Sequence, residues 1–339
     1  MRILVFGGSW FLGRLVAEEF VALGVHVTVF NRGRSREPLP AGVRHLRGDR
    51  TLDEDLRAVT GTSWDAVIDI SGKIPAVVQR SVRALADVTA LYVSVSTVRG
   101  YRDWPDTPVD ERSPLLDSDP GFDPGGRTWD ADGYGRLKAG CEMACRDVLG
   151  EGRLLILRLH EIIGQYEDVG PVLWWLDRMR RAGSVLVPGP DRAIQPVDVR
   201  DVSKFTVDLV QRGEPGVFNV AAPPGDRTYG ALVRACAEAV GSAAAAEAEL
   251  VWVDESWLVD HGVQQWTELP LWRRAAATWD VSVERAVVAG LRCRPLIDTV
   301  TDTWRWFTGG ERRVDHQRVA QYGMDPAREA ALIALWRAK

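Results

Sequence analysis

The chain has 339 residues, 46% hydrophobic and 26% charged, with 42 Lys+Arg against 47 Asp+Glu and a formal net charge of −5. That length supplies one large domain or two modest ones, and the mild acidity gives no basic field, so nucleic acid is not the expected partner. No apolar run reaches the ~18 residues of a membrane span, the segment Met1 to Gly13 lacks the basic start and cleavage site of a signal peptide, and Cys141, Cys145, Cys236 and Cys293 are too few for a disulfide scaffold or, without neighbouring ligands, a metal site; a reducing cytoplasm is the expected compartment.

The first half alternates strand and helix signals. Arg2–Phe6 predicts a strand ending at Gly7-Gly8. Phe11, Leu12, Leu15, Val16, Phe20 and Leu23 have helical spacing that stops at Gly24. Strands are predicted at 26–30, 43–46, 66–70 and 90–95, with helices at 52–59 and 75–85. This alternation predicts an α/β fold, a Rossmann-type doubly wound parallel sheet with right-handed crossovers. Residues 102–129 are rich in Pro, Asp and Gly and have neither period; a loop that long in a compact domain is usually functional or mobile.

A helix over 134–149 and a strand over 154–159 follow. Further helices are predicted at 172–181, within 197–210, at 229–240, 282–288 and 299–307, and from Asp325 with Pro326 in its first turn. Strands are predicted at 216–220 and 249–253. Ala243–Ala248 reads as a linker or helix edge and Gly309–Asp315 as a hinge. The expected organisation is a cofactor domain over 1–165 with a returning segment at about 196–222. A smaller mixed α/β substrate domain over 166–339 completes it, with the active site in the cleft between them. Of 14 Trp, 11 lie at or after position 129; they pack a core, or several line an apolar pocket.

Four constellations carry chemistry. Gly7-Gly8-Ser9-Trp10-Phe11-Leu12-Gly13 links the first strand to the first helix. Glycine at 7 permits the tight turn, Gly13 allows close helix–strand packing, and backbone N–H groups at the helix start can approach a pyrophosphate. Gly7, Ser9, Trp10, Phe11, Leu12 and Gly13 are thus candidate dinucleotide contacts, with Trp10 a bulky departure in the middle of the loop. At the end of the second strand stands Asn31-Arg32-Gly33-Arg34-Ser35-Arg36 rather than an acidic residue. Amide plus arginine suits a 2′-phosphate better than a bare ribose diol, so NADP(H) is expected ahead of NAD(H). Asp49 is a candidate for the adenine edge.

Tyr134 and Lys138 are four apart and share a helix face. A free tyrosine is a poor proton donor and acceptor at neutral pH; a lysine one turn on favours its phenolate and can also hold a ribose. Ser94-Val95-Ser96-Thr97 ends the fifth strand, where ligands of parallel sheets bind, and a hydroxyl there can hold a substrate carbonyl.

Together these features resemble the extended and atypical short-chain dehydrogenase/reductase family, the NAD(P)-dependent epimerase/dehydratase-like enzymes. The matching residues are Gly7, Gly8 and Gly13, Asp49, Ser71-Gly72, Ser96-Thr97 with Tyr101, and Tyr134 with Lys138. Arg158 with Gly164, Asp198 to Asp201, Phe218-Asn219 and 280–306 look like the family's later segments. The Trp10 loop and Asn31-Arg32-Gly33 are closest to a branch that includes chloroplast stem-loop-binding relatives.

The resemblance implies Tyr134 as acid/base, Lys138 as ribose anchor and pKa modulator, and Thr97 as the hydroxyl orienting the substrate, with Ser96 the alternative. It adds Ser71 and Gly72 to the cofactor contacts. Dehydratases of the family carry Asp-Glu after the threonine; here stand Val98-Arg99. Its epimerases usually place a diphosphate-binding arginine where this chain has Ile194, with Arg192 two residues off. The expected function is therefore an NADP(H)-dependent reductase acting on a carbonyl or alcohol of a small organic, aromatic or secondary-metabolite, substrate. The alternatives are a sugar epimerase that retains its cofactor, or a non-catalytic NADP-binding regulatory or RNA-binding homologue. Trp174, Trp175 and Arg178 are candidate pocket walls, His160 a candidate substrate contact, and Arg273-Arg274 a candidate anion site. No membrane partner is expected, and a homodimer is left open.

Overall fold

Short aliphatic runs flanked by turn residues form one parallel sheet. They are β1 (Arg2–Phe6), β2 (His26–Asn31), β3 (Arg44–Arg47), β4 (Trp64–Asp69), β5 (Thr89–Thr97) and β6 (Leu154–Leu159). Between them run α1 (Phe11–Ala22), α2 (Asp53–Thr60), α3 (Pro75–Leu85) and α4 (Ala131–Leu149). Every residue of β6 is buried, the pattern of a parallel strand covered on both faces. Pro75 opens α3, where its missing N–H costs nothing. The computed structural model describes residues 1–34, 38–125, 131–167, 170–241, 248–275, 277–309 and 322–339. Ser35, Arg36, Trp129, most of the alanine patch, most of the proposed hinge and His316 lie outside the described residues.

After His160 the chain forms β7 (Ile162–Ile163), α5 (Pro171–Arg180), β8 (Ser184–Pro188), β9 (Ala193–Ile194) and β10 (Val197–Asp198). It then adds α6 (Val199–Arg212) and β11 (Gly216–Val220), and β11 joins the main sheet beside β6. The sheet order is β11-β6-β5-β4-β1-β2-β3, parallel throughout, so the order reverses at β1 and β4. The rest comprises β12 (Arg227–Thr228), α7 (Tyr229–Val240), β13 (Glu249–Val253), α8 (Glu255–Asp260), α9 (Glu284–Val288), α10 (Leu296–Thr308) and α11 (Pro326–Arg337).

Two compact units result. The first contains residues 1–160, 199–221 and 281–292; the second contains 161–198, 222–280 and 293–339. The return of 281–292 to the first unit has no signal in the sequence pattern. Neither has β8, which pairs in parallel with β13, nor the six-residue helix α8.

The first unit keeps the 102–125 loop close. Arg102 N donates to Pro114 O, Leu116 N to Gly100 O, and Val98, Tyr101, Val109 and Val281 make a small apolar cluster. The second unit holds ten of the described tryptophans, five of them buried. Trp175 and Trp272 are fully buried, and Trp257 and Trp279 join the same core. Among the described residues no helix is long and apolar enough to cross a membrane.

Candidate active site

Where the order of a doubly wound sheet reverses, the strand ends diverge and leave a crevice for a ligand. In this sheet the Gly7 turn after β1 faces Ser71 after β4: a Cβ on Gly7 would meet Ser71 Cβ at 3.0 Å. Gly7 has φ +93°, a conformation that side chains resist. A Cβ on Gly13 would lie 2.0 Å from Gly7 O, so helix and turn touch only because position 13 is glycine. Trp10 occupies the N-cap position of α1 without a side-chain cap, and Phe11 follows at φ +46°. The first amides of α1 are thereby left to an external acceptor, and the loop fits a dinucleotide pyrophosphate.

Asn31 braces this loop. Its Nδ2 donates to Ser9 Oγ at 2.9 Å, and its Oδ1 accepts from Gly33 N at 2.8 Å and contacts His45 Nε2 at 3.0 Å. Arg32 and Arg34 are exposed on the turn that follows, and Arg47 of β3 packs on Gly33. Asp49 Oδ1 accepts from Thr51 N and Oγ1. Those bonds, reinforced by the Arg32 and Arg34 charges, hold the Asp49 carboxyl below its ordinary range. Arg47 is a cationic neighbour that the sequence alone did not single out; only the parallel pairing of β2 with β3, Asn31 opposite Arg47, brings it here.

Beneath the strand ends lie buried charges. Arg50 forks onto Asp69, its NH1 and NH2 each 2.7 Å from a carboxylate oxygen, and Tyr92 OH donates to the same carboxylate at 2.9 Å. Burial alone would raise the Asp69 carboxyl; Arg50, with help from Lys138, overrides it and holds the group below its ordinary range. Lys138 is 4% exposed. Its ammonium donates to Gly72 O at 2.6 Å and to Val95 O. Among the described residues these bonds use two of its three donors.

Thr97 caps the short 3₁₀ turn Val98–Gly100; its Oγ1 accepts from Arg99 N at 3.3 Å, which leaves the hydroxyl proton to donate elsewhere. Ser96, the alternative to Thr97, has its hydroxyl committed to Glu142 Oε1 at 2.5 Å. Tyr134 is half-buried in α4. Its neighbour Gly135 touches the Thr97 turn: a Cβ there would lie 2.1 Å from Arg99 O. The dehydratase carboxylates have no counterpart, since Val98 is buried and the Arg99 guanidinium lies 5.9 Å from the Trp104 ring. Trp104 also packs edge-on against His160, the candidate substrate contact, at 5.8 Å.

Of the candidate pocket walls of the second unit, Trp174 and Trp175 lie in or against its core, and Arg178 borders a cavity. Trp175 is fully buried, donates from Nε1 to Pro270 O and packs on Tyr229. Trp174 packs edge-on against Trp175 and under Gly323. Arg178 holds Glu329 at 2.9 Å and also donates to Ala182 O and Ser184 O. The Trp175 indole and the Arg178 guanidinium have internal acceptors and help fasten α5 to the rest of the core. A cavity of about 440 Å³ borders Arg178 and Glu329, with Arg181, Ala330 and Arg337. Arg192 forks onto Glu255 with both Nε and NH2. Arg273 lies over the Trp266 ring at 4.7 Å, and Arg274 N donates to Gln265.

No family model matches the chain. A curated relative, 2′-dehydrokanamycin reductase from Streptomyces kanamyceticus, is 39% identical over 112 residues, which is 33% of this chain and 32% of that protein. The chain thus spans about a third of the relative's length in the match. Among solved structures, the Bordetella bronchiseptica enzyme WbmH in complex with NAD+ is similar with a TM-score of 0.67 and 16% identity, over 90% of this chain and 97% of that one. Thermus thermophilus UDP-glucose 4-epimerase in complex with NAD gives 0.63 and 19%, over 91% and 100%. The UDP-N-acetylglucosamine 4-epimerase of Methanobrevibacter ruminantium gives 0.66 and 15%, over 91% and 98%. The chain therefore has the Rossmann-type α/β fold that these structures share, the fold its sequence resemblance implied.

Proposed function

We propose that the chain is an NADP(H)-dependent reductase that interconverts a carbonyl and an alcohol on a small organic molecule. The observation that carries this reading is Lys138, a buried ammonium one helical turn after Tyr134 that Gly72 O and Val95 O fix; its third donor would hold a ribose. The curated similarity to a reductase supports the direction of the chemistry. A bound nicotinamide would supply the hydride to the carbonyl carbon. Tyr134 gives its hydroxyl proton to the carbonyl oxygen, and the Lys138 charge stabilises the phenolate left behind. Thr97 donates its hydroxyl proton in a hydrogen bond to the same oxygen, which holds it beside Tyr134.

Arg32, with Arg34 and Arg47 around the Gly33 turn, supports binding of a 2′-phosphate, and no carboxylate at the end of β2 competes for a ribose diol. Asp49 would meet the adenine edge, and the Gly7–Gly13 loop would take the pyrophosphate.

A second reading, a nucleotide-sugar epimerase with retained cofactor, draws on the fold neighbours. Against it, Ile194 is buried in the core and Arg192 is held by Glu255. The test is NADPH oxidation in the presence of 2′-dehydrokanamycin and a panel of cyclic and aromatic ketones, beside UDP-sugars with NAD. Tyr134→Phe removes one oxygen and little volume, so it keeps cofactor binding and loses ~10²–10⁴-fold in turnover. Full turnover by Tyr134→Phe overturns the assignment. Interconversion of UDP-sugar epimers moves the reading to the epimerase, and a wild type inert to all of these yet binding NADPH and an RNA hairpin moves it to a binding protein.

A further inference from the structure

Tyr134, Lys138 and Glu142 stand at successive four-residue steps and line one face of α4. The mechanism above uses the first two. Glu142 is fully buried beside Arg158, whose Nε and NH2 bond both carboxylate oxygens at 2.7–3.2 Å. Each end of this ion pair holds one end of the turn that carries Thr97. On the near side Ser96 Oγ donates to Glu142 Oε1. On the far side Arg158 NH1 donates to Tyr101 OH at 2.9 Å, and Tyr101 OH donates on to Asn219 Oδ1 at 2.7 Å. Between Ser96 and Tyr101 lie only Thr97 and the turn Val98–Gly100, which presses against Gly135.

We infer that the Glu142–Arg158 pair is a positioning element that fixes Thr97 relative to Tyr134, through Ser96 at one end of the turn and Tyr101 at the other. The inference rests on the assignment of Tyr134 and Thr97 above. Its physical content is that a buried ion pair bonded through several charge-assisted contacts favours one geometry, since a departure gives up those bonds in a dry interior; Arg146, 3.8 Å away, is the other cation beside Glu142. A side chain on β5 and another on the following loop therefore share one rigid reference with the helix that carries the proton donor. A misplacement of about 1 Å can cost up to ~10²-fold in rate, so loss of either anchor should act on kcat.

Breaking the pair itself risks unfolding, so the test removes its hydroxyl links instead. Ser96→Ala and Tyr101→Phe each delete one oxygen and leave the ion pair in place. Assayed as NADPH oxidation with a ketone that the wild type reduces, each should lower kcat by about 10-fold. The KM for NADPH should stay within about twofold, because the cofactor loops are untouched. Ser96→Thr, which restores the hydroxyl, should recover most of kcat. The combined variant should lose less than the product of the single losses, because both links act through one ion pair. A fall that only tracks the folded fraction, or no rescue by Ser96→Thr, overturns the inference. Tyr134→Phe is assayed beside them. If it is inactive while Ser96→Ala and Tyr101→Phe keep full kcat, this inference fails alone; if it keeps turnover, the reductase reading fails and takes this inference with it.

Discussion

Three helices of the first unit and three of the second begin differently, although α5 and α10 of the second unit also lack a side-chain cap. In the first, α1, α2 and α3 start behind Trp10, Leu52 and Ile74, none of which provides a side-chain cap. In the second, α7, α8 and α11 start behind Thr228, Asp254 and Asp325, each of which accepts backbone N–H bonds from the first turn. A cap satisfies the helix's own donors and stabilises it; an uncapped start leaves those donors for something else. The uncapped helices of the first unit follow β1, β3 and β4, whose C-terminal ends border the ligand side of a parallel sheet. The second unit's capped helices instead close around a tryptophan-rich core.

Buried ion pairs divide the same way. Glu142–Arg158 reaches hydroxyls on the strand and loop that carry Thr97, whereas Arg178–Glu329 reaches backbone groups that fasten α11 to β8. The sharpest way to break the comparison is therefore Glu329→Gln. It strands a buried guanidinium and should cost ~3–5 kcal/mol of stability by chemical denaturation. Arg178→Met/Glu329→Leu, which removes both charges, should recover most of that loss. Neither variant should alter the affinity of the folded protein for NADPH. A weakened cofactor affinity in the double variant would show that this pair does more than hold its own unit.

Much of the first unit was legible because its signals are local. β1 reads from a five-residue aliphatic run, the α1 face from its helical spacing, and the Gly7–Gly13 turn from glycines that the geometry needs. What escaped were pairings between distant residues. Glu329 lies 151 residues from Arg178, and nothing local to either marks them as partners. For Trp174 and Trp175 the sequence is equally silent, because an indole in a core and an indole beside a ligand have the same sequence signature. Glu142 was within reach, one turn beyond Lys138, but its importance appears only when Arg158 and Ser96 converge on it.

The next prediction sharpens the cofactor side. Arg32→Ala should reduce the preference for NADPH over NADH by about 1.5–3 kcal/mol, the range for a charge-assisted bond. Titration of both nucleotides by tryptophan fluorescence reads it. An unchanged ratio would transfer the role to Arg47 or Arg34, and Arg47→Ala would then carry the loss.

Trp10→Asp tests the uncapped start directly. It installs in α1 the kind of cap that Asp325 gives α11. The free protein should gain or hold stability, while a carboxylate at the pyrophosphate position should weaken NADPH by roughly 1–2 kcal/mol. In the second unit the reverse change, Thr228→Ala, should cost about 1 kcal/mol of stability with no effect on NADPH. Tighter NADPH binding by Trp10→Asp would remove the argument that the bare helix start serves a ligand.

The smallest effect lies at Asp254. Its Oδ1 accepts from Ser256 N at 2.9 Å and Trp257 N at 3.1 Å, and from the Ser256 hydroxyl. The Ser256 hydroxyl bond first, then the bond from Trp257 N, hold the carboxyl below its ordinary range. A carboxyl lowered on folding binds its proton less readily in the folded than in the unfolded chain. Its contribution is therefore complete above the ordinary aspartate value of ~3.9, and is lost as pH falls through the lower folded value. Asp254→Asn keeps a good cap but cannot titrate. The difference in thermal midpoint between wild type and Asp254→Asn should be constant from pH 7 to about pH 5, then move against the wild type as the pH falls below ~4. A difference that stays flat through the acid range would mean that the cap bonds favour the neutral and ionised forms equally, and that the second unit's capped helix starts gain nothing from charge.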